Sequence, residues 1–154
     1  MPKPRYTQIA LSETPLYHLA YRCLRRSFLC NGIDGFNFRH RREWIAERFR
    51  LLTTMFAIDV ASYAVMMNHY HVLVRVHVEK AAMWSADEIF GHWSILFQVP
   101  DLKKPFLADH LIELEDIQAA EKMIEIYPER LTSTPWFMRC LNEHIARLAN
   151  FEDI

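Results

Sequence analysis

The sequence predicts an α+β sandwich: a mainly antiparallel sheet covered by helices on one face. Three observations carry that prediction. Residues 69–78 alternate almost perfectly between apolar and polar side chains, the mark of a strand with one buried face. Residues 39–55 place apolar side chains at helical spacing between that strand and an earlier aromatic-rich one. Beyond residue 78 the chain turns acidic and helical. The resulting order is strand, helix, strand, strand, helices, which is close to the ferredoxin-like plan.

The first strand is Leu16 to Leu24, opened after Pro15 and closed at Arg25-Arg26. Asn31-Gly32-Ile33-Asp34-Gly35 is a loop, its glycines placed to turn the chain. The helix from about Arg39 to Met55 carries Trp44, Ile45, Phe49, Leu52 and Phe56 on its inner side. Its arginines, Arg41, Arg42, Arg48 and Arg50, are expected on a solvated face. Ile58 to Met66 is a second strand, and Met67-Asn68 a tight turn into the third, His69 to Val78. On that third strand Tyr70, Val72, Val74, Val76 and Val78 face the core; His69, His71, Leu73, Arg75 and His77 face away. Ser85 is placed to cap a helix running toward Phe97, and Pro100 to Pro105 breaks it. Asp109 to Tyr127 is a further helical run ended by Pro128. Thr134-Pro135 starts a last helix with Phe137, Leu141, Ile145 and Leu148 on one face.

The 154 residues suit one domain, and 51% of them are apolar, enough for a sizeable core. Only three glycines and no repeat or low-complexity tract interrupt the chain, so residues 1–154 are expected to form a single domain. The net charge of −1 does not by itself indicate nucleic acid. Its distribution does more: residues 1–50 hold ten Lys/Arg against four acids, and residues 79–130 hold five against eleven. That split predicts one basic face and one acidic region, which are either partner surfaces or plain solvated faces. Cys23, Cys30 and Cys140 show no ligand spacing, no apolar leader opens the chain, and no apolar run reaches membrane-spanning length. The expectation is a cytoplasmic, reduced protein with no membrane partner.

The candidate chemistry lies on the third strand. His69 and His71 are two residues apart, so both project to one side with Cβ atoms roughly 7 Å apart. Two imidazoles at that separation can converge on one divalent ion and leave positions open for water or phosphate oxygen. A His-x-His pair is more often merely solvated, but this one opens a strand, follows Asn68 in a tight turn and backs onto an apolar face.

The run Ala64-Val65-Met66-Met67-Asn68-His69-Tyr70-His71-Val72-Leu73-Val74 resembles the signature of the HUH single-tyrosine transposases, the group related to REP-associated tyrosine transposases. Tyr17-His18 through Leu29 is similar to that family's first strand with its basic turn, and Trp136 to Asn142 to its later helix. The acidic stretch from Glu79 to Arg130 matches no motif of the family. The resemblance implies a ferredoxin-like fold with the HUH motif on a central strand. It implies a divalent metal, Mg or Mn, on His69 and His71, and single-stranded hairpin DNA as partner. It further implies DNA transposition by cleavage and rejoining through a covalent 5′-phosphotyrosine, in a monomer or a homodimer.

In that family the attacking tyrosine lies on a later helix, with Asn or Gln four residues on as third metal ligand. Tyr6, Tyr17, Tyr21, Tyr63, Tyr70 and Tyr127 are followed at that spacing by Ala10, Tyr21, Arg25, Met67, Val74 and Leu131, so none fits. The expectation is therefore a transposase-like domain lacking the tyrosine helix, with no catalytic residue of its own and deficient in cleavage. The alternative is an inactive DNA-binding or regulatory module derived from such an enzyme. Arg22, Arg25, Arg26, Asn68 and Arg75 are the candidate DNA contacts, each also readable as a solvated side chain. His18 reads as an ordinary strand histidine in preference to a partner of the pair. His77 lies roughly 20 Å along the strand from it. A hydrolase unrelated to that family would need a carboxylate on the histidine face, and the strand supplies none. A protein-interaction domain working through the acidic region is the remaining reading.

Overall fold

The computed structural model describes residues 10, 13–22, 39–99, 101, 108–110 and 113–152. Among them the elements run β1 (Leu16–Arg22), α1 (Arg41–Met55), β2 (Ile58–Val65), β3 (His69–Val76), α2 (Val78–Ala82), α3 (Ala86–Trp93), α4 (Leu114–Leu131) and α5 (Thr134–Glu152). This is an α+β chain with a three-stranded antiparallel sheet of order β1-β3-β2. The strand bearing His69 and His71 is the middle one. Its two neighbours both run antiparallel to it, so β1 and β2 are parallel to each other, with α1 connecting them. The loop expected at 31–35 and most of the 100–105 break lie outside the described residues.

The alternation read from β3 is what the structure uses. Tyr70, Val72, Val74 and Val76 are buried, while Leu73 and Arg75 are exposed. Leu19 of β1 packs on the same inner side, with Tyr17 and Tyr21 half-buried beside it. β2 departs from simple alternation. Val60 pairs with Val74 but Ser62 pairs with Leu73, so Ala61 is an extra residue in a bulge. The bulge reverses the parity of everything after it. Val65 therefore turns against the core and Tyr63, on the same side but 46% exposed, against Phe49, while Ser62 and Ala64 turn outward.

The third strand is shorter than the expected His69–Val78. It ends at Val76, where the paired registers with Leu16 of β1 and Ile58 of β2 run out and only single backbone bonds continue, Val76 N–H to Pro15 O at 2.8 Å among them. The His77 backbone N–H donates to Ala57 O at 2.8 Å, and Val78, 39% exposed, starts α2 instead of entering the core.

Behind the sheet α1 and α5 pack antiparallel. Phe49 stacks on Phe137 at 6.2 Å, and Phe56 meets Phe137 edge-on at 5.4 Å. Arg48 donates twice to Cys140 O, and Arg41 at one end of α1 meets Glu152 at the end of α5. Full burial of each such ring contributes on the order of 1.5–3 kcal/mol. The expectation that all four α1 arginines are solvated fails at two of them. Arg41 is 1% exposed, with Nε and Nη2 both 2.8 Å from Glu152 Oε2, and His40 pairs with the other oxygen of that carboxylate. Arg48 is half-buried under α5. A second helix on that flank, which local periodicity could not foresee, supplies their acceptors. Arg42 and Arg50 are exposed as expected.

The helix read from Ser85 toward Phe97 is capped by Ser85 as expected, with Ser85 Oγ accepting from Glu88 N–H and Glu88 accepting from Ser85 N–H in a complete capping box, but it ends at Trp93, short of Phe97. The Asp109–Tyr127 run is displaced to Leu114–Leu131. Asp109 has a left-handed φ of 56°, and Pro128 sits inside the last turn instead of ending it. Packing explains the extension. Leu131 is fully buried, and Arg130 lies over Trp136 at 4.6 Å and Trp93 at 5.7 Å, interactions that outweigh the proline penalty. No helix among the described residues is long and apolar enough to cross a membrane.

Candidate functional site

The outer face of the sheet is laid out by strand register. His69 sits opposite Arg22, and His71 lies between Ala20 and Ala64. His18 and Ser62 flank Leu73, while Leu16 and Asp59 flank Arg75. His18, Ala20, Arg22, Ala64, Leu73 and Arg75 are all exposed, so among the described residues no helix covers this face. The two alanines beside His71 are as small as a chiral residue allows, leaving the space over its ring open.

The two imidazoles have ring centroids 5.2 Å apart at an angle of 84°, nearer than the rough 7 Å of Cβ separation along a strand. The side chains therefore lean together. Two imidazoles sharing one ion at metal–nitrogen distances of about 2.1 Å would have centroids about 4.6–5.3 Å apart for angles between octahedral and tetrahedral. The observed separation falls within that range. Each ring also has its Nδ1 engaged: His69 Nδ1 donates to Asn68 Oδ1 at 2.9 Å, and His71 Nδ1 shares a hydrogen bond of 2.9 Å with His18 Nε2. The chain's own groups thus hold Nδ1 of both histidines, and Nε2 is the nitrogen available to a ligand. Among the described residues no group of three or more His, Cys, Asp or Glu is arranged to hold a metal ion. The centroid separation is one that two imidazole donors to a single ion would have, with the remaining positions then left to water, phosphate or an amide.

Beside His69 opens a cleft of about 420 Å³ lined by Ala20, Tyr21, Arg22, Asn68 and His69. It joins a cation, an amide and the first histidine of the pair. Of the five expected DNA contacts, Arg22 and Asn68 are brought to this cleft. Asn68 has its carbonyl oxygen already bonded to His69. Arg75 is on the same face but four residues from His71, about 13 Å along the strand. Arg25 and Arg26 lie outside the described residues. His77 is separate from the pair, with Nε2 donating to Asp59 Oδ2 at 2.7 Å.

His18 overturns its reading as an ordinary strand histidine. It stacks on His71 with centroids 5.0 Å apart and shares the hydrogen bond above. The signal was present in the alternation of β1, which sets His18, Ala20 and Arg22 on one side; pairing β1 with β3 was the missing step. Tyr70, between the histidines in sequence, is 1% exposed on the opposite face, and its hydroxyl donates to Asn142 Oδ1. Tyr17 and Tyr21 also pack toward the core, Tyr63 is exposed on the same side with its ring against Phe49, and Tyr127 stacks on Trp93 at 4.2 Å. Among the described residues the strand register sets no tyrosine on the histidine face, although Tyr21 borders the cleft beside His69. No protein-family model, curated protein or solved structure matches this chain.

Proposed function

We propose that the protein binds single-stranded hairpin DNA through a divalent metal, Mg²⁺ or Mn²⁺, held by His69 and His71. This is the mode that the resemblance of residues 64–74 to HUH single-tyrosine transposases implies. The observation that carries the reading is the pair itself. Two histidines converge on the open side of a middle strand, with both Nδ1 atoms engaged and a cationic cleft beside them. The order of β1, α1, β2 and β3, with the pair on the middle strand, supports the ferredoxin-like arrangement expected for that family.

When bound, the metal supplies Lewis-acid polarisation of a phosphodiester oxygen. The chain's own groups do the rest. His69 and His71 present nitrogen donors, and Arg22 offers charge to a phosphate entering the cleft. Arg75 extends positive charge along the face, where the backbone of a single strand can follow it. Ala20 and Ala64 keep the approach low.

Cleavage in the family needs a tyrosine; among the described residues the strand register puts none on the outer face with the pair, and Tyr21, which borders the cleft beside His69, is packed against Tyr70. The residues described here therefore favour binding without formation of a phosphotyrosine link. The same observation favours the second reading, a regulatory module derived from a transposase. A native gel shift with labelled hairpin DNA, with and without Mn²⁺, against duplex DNA of the same sequence, tests the proposal. Metal-enhanced preference for the hairpin, lost in a His69→Ala/His71→Ala variant, is expected. Equal or absent binding to both DNAs, whatever the metal, would overturn it.

A further inference from the structure

We infer that His18 is a positioning residue: from the neighbouring strand it accepts the Nδ1 proton of His71 and so commits His71 Nε2 to the metal. The inference rests on the metal reading of His69 and His71. Its ground is the hydrogen bonding of the face.

A neutral imidazole carries one N–H and one lone pair, and a nitrogen that carries the proton cannot bind a metal. For His69 the assignment is settled by its neighbour. Asn68 Oδ1 can only accept, so the proton sits on Nδ1 and the lone pair on Nε2. For His71 the neighbour is another imidazole, which can play either part. If His18 Nε2 donates, His71 carries its proton on Nε2 and offers the metal nothing. If His18 Nε2 accepts, the His71 proton is on Nδ1 and both histidines of the pair present Nε2 lone pairs. Metal binding selects the second arrangement, and His18 is the group that makes it available.

The sheet explains how His18 reaches. Ala20 lies directly opposite His71, and His18 is the next residue of β1 on the same face, the diagonal neighbour. A larger side chain at position 20 would separate the two rings. With alanine there, they stack at 24° and close to 2.9 Å between nitrogens. Metal-ligating histidines that lose the acceptor of their other N–H bind about 10–100-fold more weakly.

Calorimetric titration with Mn²⁺ alone, on the full chain, tests the inference in four proteins: unaltered, His71→Ala, His18→Phe and His18→Gln. His18→Phe keeps a stacking ring without an acceptor; His18→Gln keeps an acceptor without a ring. Expected results are loss of binding in His71→Ala, binding weakened about 10–100-fold in His18→Phe, and recovery of most of that loss in His18→Gln. Thermal midpoints without metal should match in the unaltered, His18→Phe and His18→Gln proteins, since His18 is exposed. Undiminished binding in His18→Phe, with His71→Ala inactive, would overturn this inference and leave the metal reading standing. Equal weakening by Phe and Gln would assign His18 to packing and overturn it too. Absence of Mn²⁺ binding by the unaltered chain would remove the metal reading and this inference together.

Discussion

Replacing Tyr70 by Phe separates the two faces of β3 experimentally. The hydroxyl is the only group removed, and it lies in the core, donating to Asn142 Oδ1 on α5. Removing one partner of a buried hydrogen bond typically costs about 1–3 kcal/mol. Asn142 is half-buried, so water can replace part of what is lost, which places the effect at the low end, about 1–1.5 kcal/mol. With a urea dependence of about 2 kcal/mol per molar, the midpoint should fall about 0.5–0.8 M. The corresponding thermal shift is about 2–6 °C for a chain of this size. Asn142→Ala should cost a similar amount, and the double variant less than the sum, because the two changes remove one shared bond. Mn²⁺ affinity, measured by the same calorimetric titration, should be unchanged in Tyr70→Phe. Full stability combined with lost metal or DNA binding would refute the reasoning, since it would put the Tyr70 hydroxyl on the histidine side.

Other outcomes follow from the packing and from the displaced protonation equilibria. Phe137→Ala removes a fully buried ring shared by Phe49 and Phe56 and should cost about 3–5 kcal/mol in urea unfolding; a midpoint shift under about 0.5 M would mean that α5 does not close the core there. Burial, then Arg48 and Arg147, hold the His144 imidazole below its ordinary value. Its contribution to stability is therefore complete above about pH 6.5 and is lost as pH falls through the lower folded value. His144→Gln should show a smaller fall in thermal midpoint between neutral and mildly acid pH than the unaltered chain, and an identical profile would contradict this. Burial is the main cause that pushes the Cys140 thiol up, so alkylation mapped by mass spectrometry should be slow at Cys140 in the native protein and fast in urea; fast native labelling there would show α5 opening.

Where a feature depends on the chain's local period, the sequence by itself determined it. The inner and outer faces of β3, the Ser85–Glu88 cap, the inner stripe of α1 and the start of α5 all follow from side chains within a few residues of one another. The pairing of His69 with His71 belongs to the same class, because a strand returns every second side chain to one face. What only the tertiary structure decided involves residues far apart in the chain. His18 is 53 positions from the His71 it bonds, and Arg41 is 111 from the Glu152 that makes its burial tolerable. The bulge at Ala61 turned the second half of β2 over and brought Tyr63 beside Phe49, a reversal that appears only in the pairing with β3. Pro128 stayed inside α4 because Leu131 and Arg130 had partners beyond it. Periodicity reports which face of an element is apolar, whereas strand order, helix docking and the partner of a lone polar group depend on what other segments place against that face.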